Sequence, residues 1–204
     1  MPYRTARFFR FLLLAVFCGQ IPSLFAGNLN VELVDESGQP LENAVISLSG
    51  PLDKHSSPPP GVMDQVAQQF MPNVLAVRTG AAVSFPNSDN IRHHVYSFSP
   101  AKRFELKLYI GTPASPVVFD QAGVVVLGCN IHDEMIGWIA VVDTPHFGST
   151  GANGQVQLRD VPEGSYRLRV WHSGLAVGAP ALDVAQRLGA AGAAASVVLK
   201  GLTP

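Results

Sequence analysis

The punctuation of this chain limits it most. From residue 29 onward, short runs of alternating apolar and polar residues are separated by clusters of Gly, Pro, Asn and Asp. Leu29, Val31 and Leu33 alternate with Asn30 and Glu32, and Ser37-Gly38-Gln39-Pro40 then supplies turn chemistry. Residues 44–48 alternate again. Such runs bounded by turn clusters predict short strands, and many of them predict an all-β sandwich or barrel. Only residues 183–188, in an Ala/Gly-rich tail, read as one or two helical turns.

The same pattern orders the rest of the chain. Residues 51–61, with Ser56-Ser57-Pro58-Pro59-Pro60, cannot continue a strand ladder and read as a linker. Residues 74–77 and 82–85 are strands around the turn Arg78-Thr79-Gly80. Residues 86–90 are a loop, and 94–98 a strand. Residues 99–116 read as a surface excursion carrying Lys102, Arg103, Glu105 and Lys107; its cations are a candidate docking patch or simply a solvated surface. Strands follow at 117–120, 123–127, 136–142, 155–158 and 166–170.

With 47% hydrophobic and 14% charged residues the chain can bury a core, which excludes wholesale disorder. A net charge of −1 without basic runs argues against nucleic acid as the main partner. Residues 1–26 have the pattern of a secretory signal: Arg4, Arg7 and Arg10, the apolar run 11–17, and small Ala26 before the cut. That run is shorter than the ~20 residues a membrane span needs. A periplasmic protein with no membrane span after cleavage is therefore expected; a retained anchor or a lipid on Cys18 are the alternatives. Cleavage leaves a net charge of −4 and Cys129 as the single cysteine. A lone thiol in an oxidising compartment raises the question of a metal.

Cys129, His132 and Met135 stand at Cys-x2-His-x2-Met between the strands 123–127 and 136–142. Each alone is ordinary: a buried Cys, a surface His, a Met filling core. Together on one loop they offer thiolate, imidazole and thioether. A thiolate with two imidazoles in a plane and a weak axial thioether is the blue-copper geometry. The second imidazole is available from His93-His94 upstream. Zinc is the rival metal, with Asp133 and Glu134 as oxygen donors, but zinc seldom uses Met. Trp138 and Trp171 read as packing, and His55, His146 and His172 as solvent-facing.

Residues 65–143 resemble a cupredoxin. Gln69-Phe70-x-Pro72-x-x-Leu75-x-Val77-x-x-Gly80-x-x-Val83-x-Phe85-x-Asn87 is similar to the opening strands of plastocyanin-like domains. Gly123-x-Val125-x-x-x-Cys129-x-x-His132-x-x-Met135-x-Gly137 is similar to their closing ligand loop, with the short spacing of amicyanin. The block 85–98, followed by 128–133, also resembles exported plastocyanin-like proteins labelled methylamine-utilisation proteins. The resemblance implies His93, Cys129, His132 and Met135 as ligands of one copper ion, His93 lying six positions after Asn87. His94 stands where the family usually has Asn, which leaves it open as the ligand or as a neutral group beside the site.

The flanks resemble carboxypeptidase-regulatory or Cna-B-like sandwich domains through Val31-x-Leu33-Val34-Asp35-x-x-Gly38-x-Pro40-Leu41 and Gly154-x-Val156-x-Leu158-x-Asp160-Val161-Pro162-x-Gly164-x-Tyr166. The expected division is a signal at 1–26, a first sandwich part with linker at 27–61, a Greek-key cupredoxin at 62–145, and a second sandwich part with tail at 146–204. Extra strands of one enlarged sandwich are the alternative. The expected function is one-electron transfer in the periplasm between protein partners of dehydrogenase or cytochrome type, not catalysis. A copper carrier or sensor, and a scaffold module working through the flanking sandwich, are the rival functions.

Overall fold

The computed structural model describes residues 26–50 and 57–203; residues 1–25 of the expected signal segment, Cys18 among them, and His55 lie outside the described residues. All regular elements among the described residues are strands, so the chain is all-β. No described helix is long and apolar enough to cross a membrane. In chain order the strands are β1 (Ala26–Val34), β2 (Val45–Ser49), β3 (Gly61–Val62), β4 (Asp64–Val66), β5 (Gln69–Met71), β6 (Val74–Arg78), β7 (Ala81–Ser84), β8 (His93–Ser97) and β9 (Phe104–Tyr109). They continue with β10 (Val117–Phe119), β11 (Gly123–Cys129), β12 (His132–Val142), β13 (Phe147–Ser149), β14 (Gln155–Pro162), β15 (Gly164–Trp171), β16 (Leu182–Leu188) and β17 (Ala193–Val198).

The alternation in the sequence decides which faces are buried. In β1, Leu29, Val31 and Leu33 point inward and Asn28, Asn30 and Glu32 outward. β1 pairs antiparallel with β14 and parallel with β17. A second sheet runs β13-β2-β15-β16. These N- and C-terminal strands enclose one core, built on Leu29, Leu33, Ile46, Leu48, Leu168 and Val170. The tyrosine of the pattern at 154–166 closes its edge: the Tyr166 hydroxyl donates to the Pro162 carbonyl at 2.7 Å.

The segment between those strands makes its own sheets, β6-β12-β11-β8-β9 and β10-β7-β3, with the small hairpin β4-β5. They enclose a second core that includes Phe70, Phe85, Phe119, Leu127, Cys129 and Met135. No sheet is shared between the two groups of strands. They meet through a third cluster, where Val74 and Ala140, with Trp138, pack toward Val45 and Trp171. Both tryptophans are packing residues, as expected.

Three expectations need correction. Residues 183–188 are not helical: they form β16, paired with β15 from Gly164↔Leu188 to Val170↔Leu182. Ala, Gln, Arg and Leu favour a helix locally, but the ladder offered by β15 overrides a preference of a few tenths of a kcal/mol (~0.5 per residue). The excursion at 99–116 contains the strand β9, which pairs with β8. His172 is half-buried rather than solvent-facing, and His146 is likewise only partly exposed.

His172 supports a pH prediction. Its Nε2 lies 3.1 Å from the Glu42 carbonyl, and its Nδ1 accepts from the Gly174 N–H at 3.0 Å. That pattern suits the neutral ring, with the proton on Nε2. Burial lowers its pKa from 6.5, only partly offset by the Glu42 bond. The unfolded chain therefore binds the proton more readily, and stability falls as pH drops through about 6.5 toward the folded value. The melting temperature of the native chain should fall more between pH 7.5 and pH 5 than that of His172→Gln. Parallel pH profiles of the two would refute this.

Candidate metal centre

Three strands, β8, β11 and β12, bring the candidate donors together, and two of their pairings break register there. β11 pairs with β12 down to Gly128↔Ile136, then shifts so that Cys129 faces His132 across the turn. β8 pairs with β9 at His93↔Tyr109, then shifts before Val95↔Leu106. Such irregularities re-aim side chains at sites. Here they turn Cys129, His132 and His93 toward one point.

Cys129 Sγ lies 3.8 Å from His93 Nδ1 and 3.6 Å from His132 Nδ1. One donor atom from each of the three residues lies within 4.8 Å of the others. His93 is fully buried, Cys129 is 4% exposed, and His132 is partly exposed. Met135, 1% exposed, belongs to the same core as Cys129. His94 goes elsewhere: its Nε2 sits 3.0 Å from Glu105 Oε1, and its ring meets Tyr96 edge-on. Asp133 and Glu134 are exposed between the ligand positions.

The donor set fits a first-row metal. With metal–sulfur near 2.3 Å and metal–nitrogen near 2.0–2.1 Å, a planar 120° angle separates sulfur and nitrogen by about 3.8 Å. The two observed separations match that spacing without rearrangement. Thiolate plus imidazole selects soft or borderline metals, and Met135 lies buried in the same core as Cys129.

Asp89 reads in the sequence as no more than a loop residue, and the structure gives it a role. Its carboxylate lies 2.7 Å from His93 Nε2 and accepts from the backbone N–H groups of Ala67 at 2.6 Å and Gln68 at 2.9 Å. Burial works to raise its pKa, but the bonds from Gln68, His93 and Ala67 outweigh it and hold the carboxyl below the usual range. The available signal is an acid four positions before a candidate ligand. Asn87 ties the same loop down, its amide donating to the carbonyls of Ile91 and Tyr109. Tyr109, pushed up to about 12 by burial, hydrogen-bonds Gln65 and the Phe85 carbonyl. Of the basic residues between 99 and 116, Lys102 is paired with Asp120 at 2.9 Å, while Arg103 and Lys107 are exposed.

No family model matches the chain, and no curated protein matches it. Solved structures of cupredoxins do. A reduced amicyanin mutant is 22% identical over 40% of this chain and 81% of its own, with a TM-score of 0.35. A purple cupredoxin from Nitrosopumilus maritimus is 20% identical over 40% of this chain and 98% of its own, with a TM-score of 0.35. A copper-containing nitrite reductase from Thermus scotoductus is 24% identical over 55% of this chain and 28% of its own, with a TM-score of 0.39. These likenesses cover part of the chain and concern its fold alone.

Proposed function

We propose that the protein is a periplasmic type 1 copper protein that carries single electrons between protein partners and catalyses no reaction of its own. The observation behind this reading is the convergence of Cys129 Sγ with His93 Nδ1 and His132 Nδ1 at 3.8 and 3.6 Å in a nearly dry core. His93, Cys129 and His132 would hold one copper ion, with Met135 as a weak fourth donor. Copper held this way supplies a one-electron couple. The chain supplies rigidity: β8, β11 and β12 are ladder-bonded, so the donors need move little when the charge at the site changes. Partly exposed His132 offers the short route from the site to a docked dehydrogenase or cytochrome-like partner. The net charge of −4 after removal of residues 1–26, and a methylamine-oxidising pathway, are consistent settings rather than features of the site itself.

Titrating the metal-free protein with Cu(II) tests the reading. One equivalent should produce an intense visible band that ascorbate bleaches and an oxidant restores. A colourless product would remove it, and tight Cu(I) binding without reversible oxidation would favour a copper carrier.

Met135 tests the finer assignment. Met135→Gln should keep the metal but lower the reduction potential, because a harder oxygen donor favours Cu(II) over Cu(I). Voltammetry of the two forms decides it. An unchanged potential would make Met135 a packing residue only.

A further inference from the structure

We infer that the hairpin β4–β5, acting through Asp89, is a clamp that fixes the orientation and tautomer of His93; the inference rests on the proposed copper function. The turn of this hairpin is Ala67-Gln68, with φ of 52° and 61°. Side chains with a Cβ avoid that left-handed region, and Gly or Asn is the usual choice in such turns. The local sequence therefore does not select this turn. Its two N–H groups both donate to Asp89, and that interaction holds the conformation.

The hairpin grips the loop before His93 at further points. Asp64 Oδ2 accepts from the Ser88 hydroxyl at 2.8 Å, Ser88 N–H donates to the Gln65 carbonyl, and Gln65 N–H donates to the Pro86 carbonyl. Its other strand reaches the ligand-bearing β12. Phe70 is fully buried against Gly137, where an added Cβ would come within 2.8 Å of the Phe70 Cβ. Just beyond it, the Asn73 amide donates to the Ile136 carbonyl at 3.0 Å. The hairpin thus joins the loop of His93 to the strand of His132 and Met135.

The chemical consequence lies in the ring. Asp89 Oδ1 and Oδ2 already accept the Ala67 and Gln68 N–H groups, so this carboxyl faces His93 as an acceptor and the ring donates to it from Nε2. The lone pair of Nδ1 is then left facing Cys129 Sγ. Asp89 is a positioning residue: it touches no ligand atom of the proposed metal, but it selects which nitrogen is free to donate.

The full-length protein tests this with and without copper. In Asp89→Asn the amide N–H group competes for Nε2, and the metal-free protein should shift His93 toward the Nδ1–H tautomer, read from ring nitrogen chemical shifts. Asp89→Ala should lose hydrogen-exchange protection at the Ala67 and Gln68 amides. Both should bind copper about 10–100-fold more weakly in competition with a chelator, the range for loss of such an outer partner. Asp35→Ala is the control, since Asp35 caps the turn at 35–39 by accepting from Ser37 and Gln39 N–H groups, both at 2.8 Å, in the other sandwich. It should leave copper affinity unchanged. A retained Nε2–H tautomer in Asp89→Asn, affinity within twofold of the native chain, or an equal loss in Asp35→Ala would overturn the clamp. If the native chain bound no copper, the copper reading would fall, while the tautomer and exchange measurements would still decide the hairpin's role.

Discussion

Replacing Cys129 by Ser should abolish the visible band expected of the copper-loaded protein and leave the fold intact. The band would arise from charge donated by a thiolate, and a serine hydroxyl is neither soft nor ionised near neutral pH. Oxygen is smaller than sulfur, so the change overpacks nothing, and the two imidazoles beside buried Cys129 can hydrogen-bond the new hydroxyl. The circular dichroism spectrum should be unchanged, with copper affinity lowered by orders of magnitude. His132→Ala gives a complementary result, opening the site at its solvent side. If the Ser variant kept the colour, the thiolate would not be a ligand. If neither form coloured, the scaffold role of the flanking sandwich would become the leading reading.

A second large effect is expected at Phe119. The residue is fully buried and touches the rings of Phe85 and Phe104, with centroids 6.4 and 5.9 Å away; Phe85 and Phe104 are 5.4 Å apart. The three rings, two pairs tilted and one edge-on, belong to or pack against the core that holds Cys129 and Met135. Phe119→Ala removes most of a buried ring and leaves a cavity, at a cost of about 3–5 kcal/mol. Urea denaturation of the metal-free protein measures this as a lower midpoint with little change in slope. A loss below ~1 kcal/mol would mean that the neighbouring rings collapse into the space. The variant should still bind copper when folded, since the ring contacts of Phe119 are to Phe85 and Phe104 rather than to His93 or His132.

Particular residues show what the sequence could and could not reveal. The loop from Cys129 to Met135 is readable because its donors are close in the chain and lie between two alternating strands. The choice between His93 and His94 needs the structure. Strand alternation sends the two rings to opposite faces, but which one points inward depends on a register shift set by β9, a strand hidden in a charged stretch. Asp89 is unreadable because its partners, Ala67 and Gln68, lie 22 and 21 residues away in a turn without the usual Gly or Asn. The terminal flanks carry a legible strand pattern, while their mutual pairing, such as Val31 with both Val156 and Ala195, is a long-range outcome.

The chain leaves the terminal strands near Leu48 and returns to them near His146, and these two points are bonded directly. Leu48 N–H donates to the His146 carbonyl at 2.8 Å, and the Thr144 hydroxyl donates to the Leu48 carbonyl at 2.7 Å across a sequence separation of 96. Both bonds continue the β2–β13 ladder, and when the middle segment is folded the span between exit and return is shorter than in a free chain, so that ladder closes a smaller gap. When it is unfolded, the same closure must tame a long floppy loop, whose entropy cost grows by ~0.6 kcal/mol for each doubling of length. Assembly of the two sandwiches is therefore thermodynamically linked although they share no sheet. A ligand that binds only the folded middle segment would, through that staple, also make the outer strands harder to pull apart.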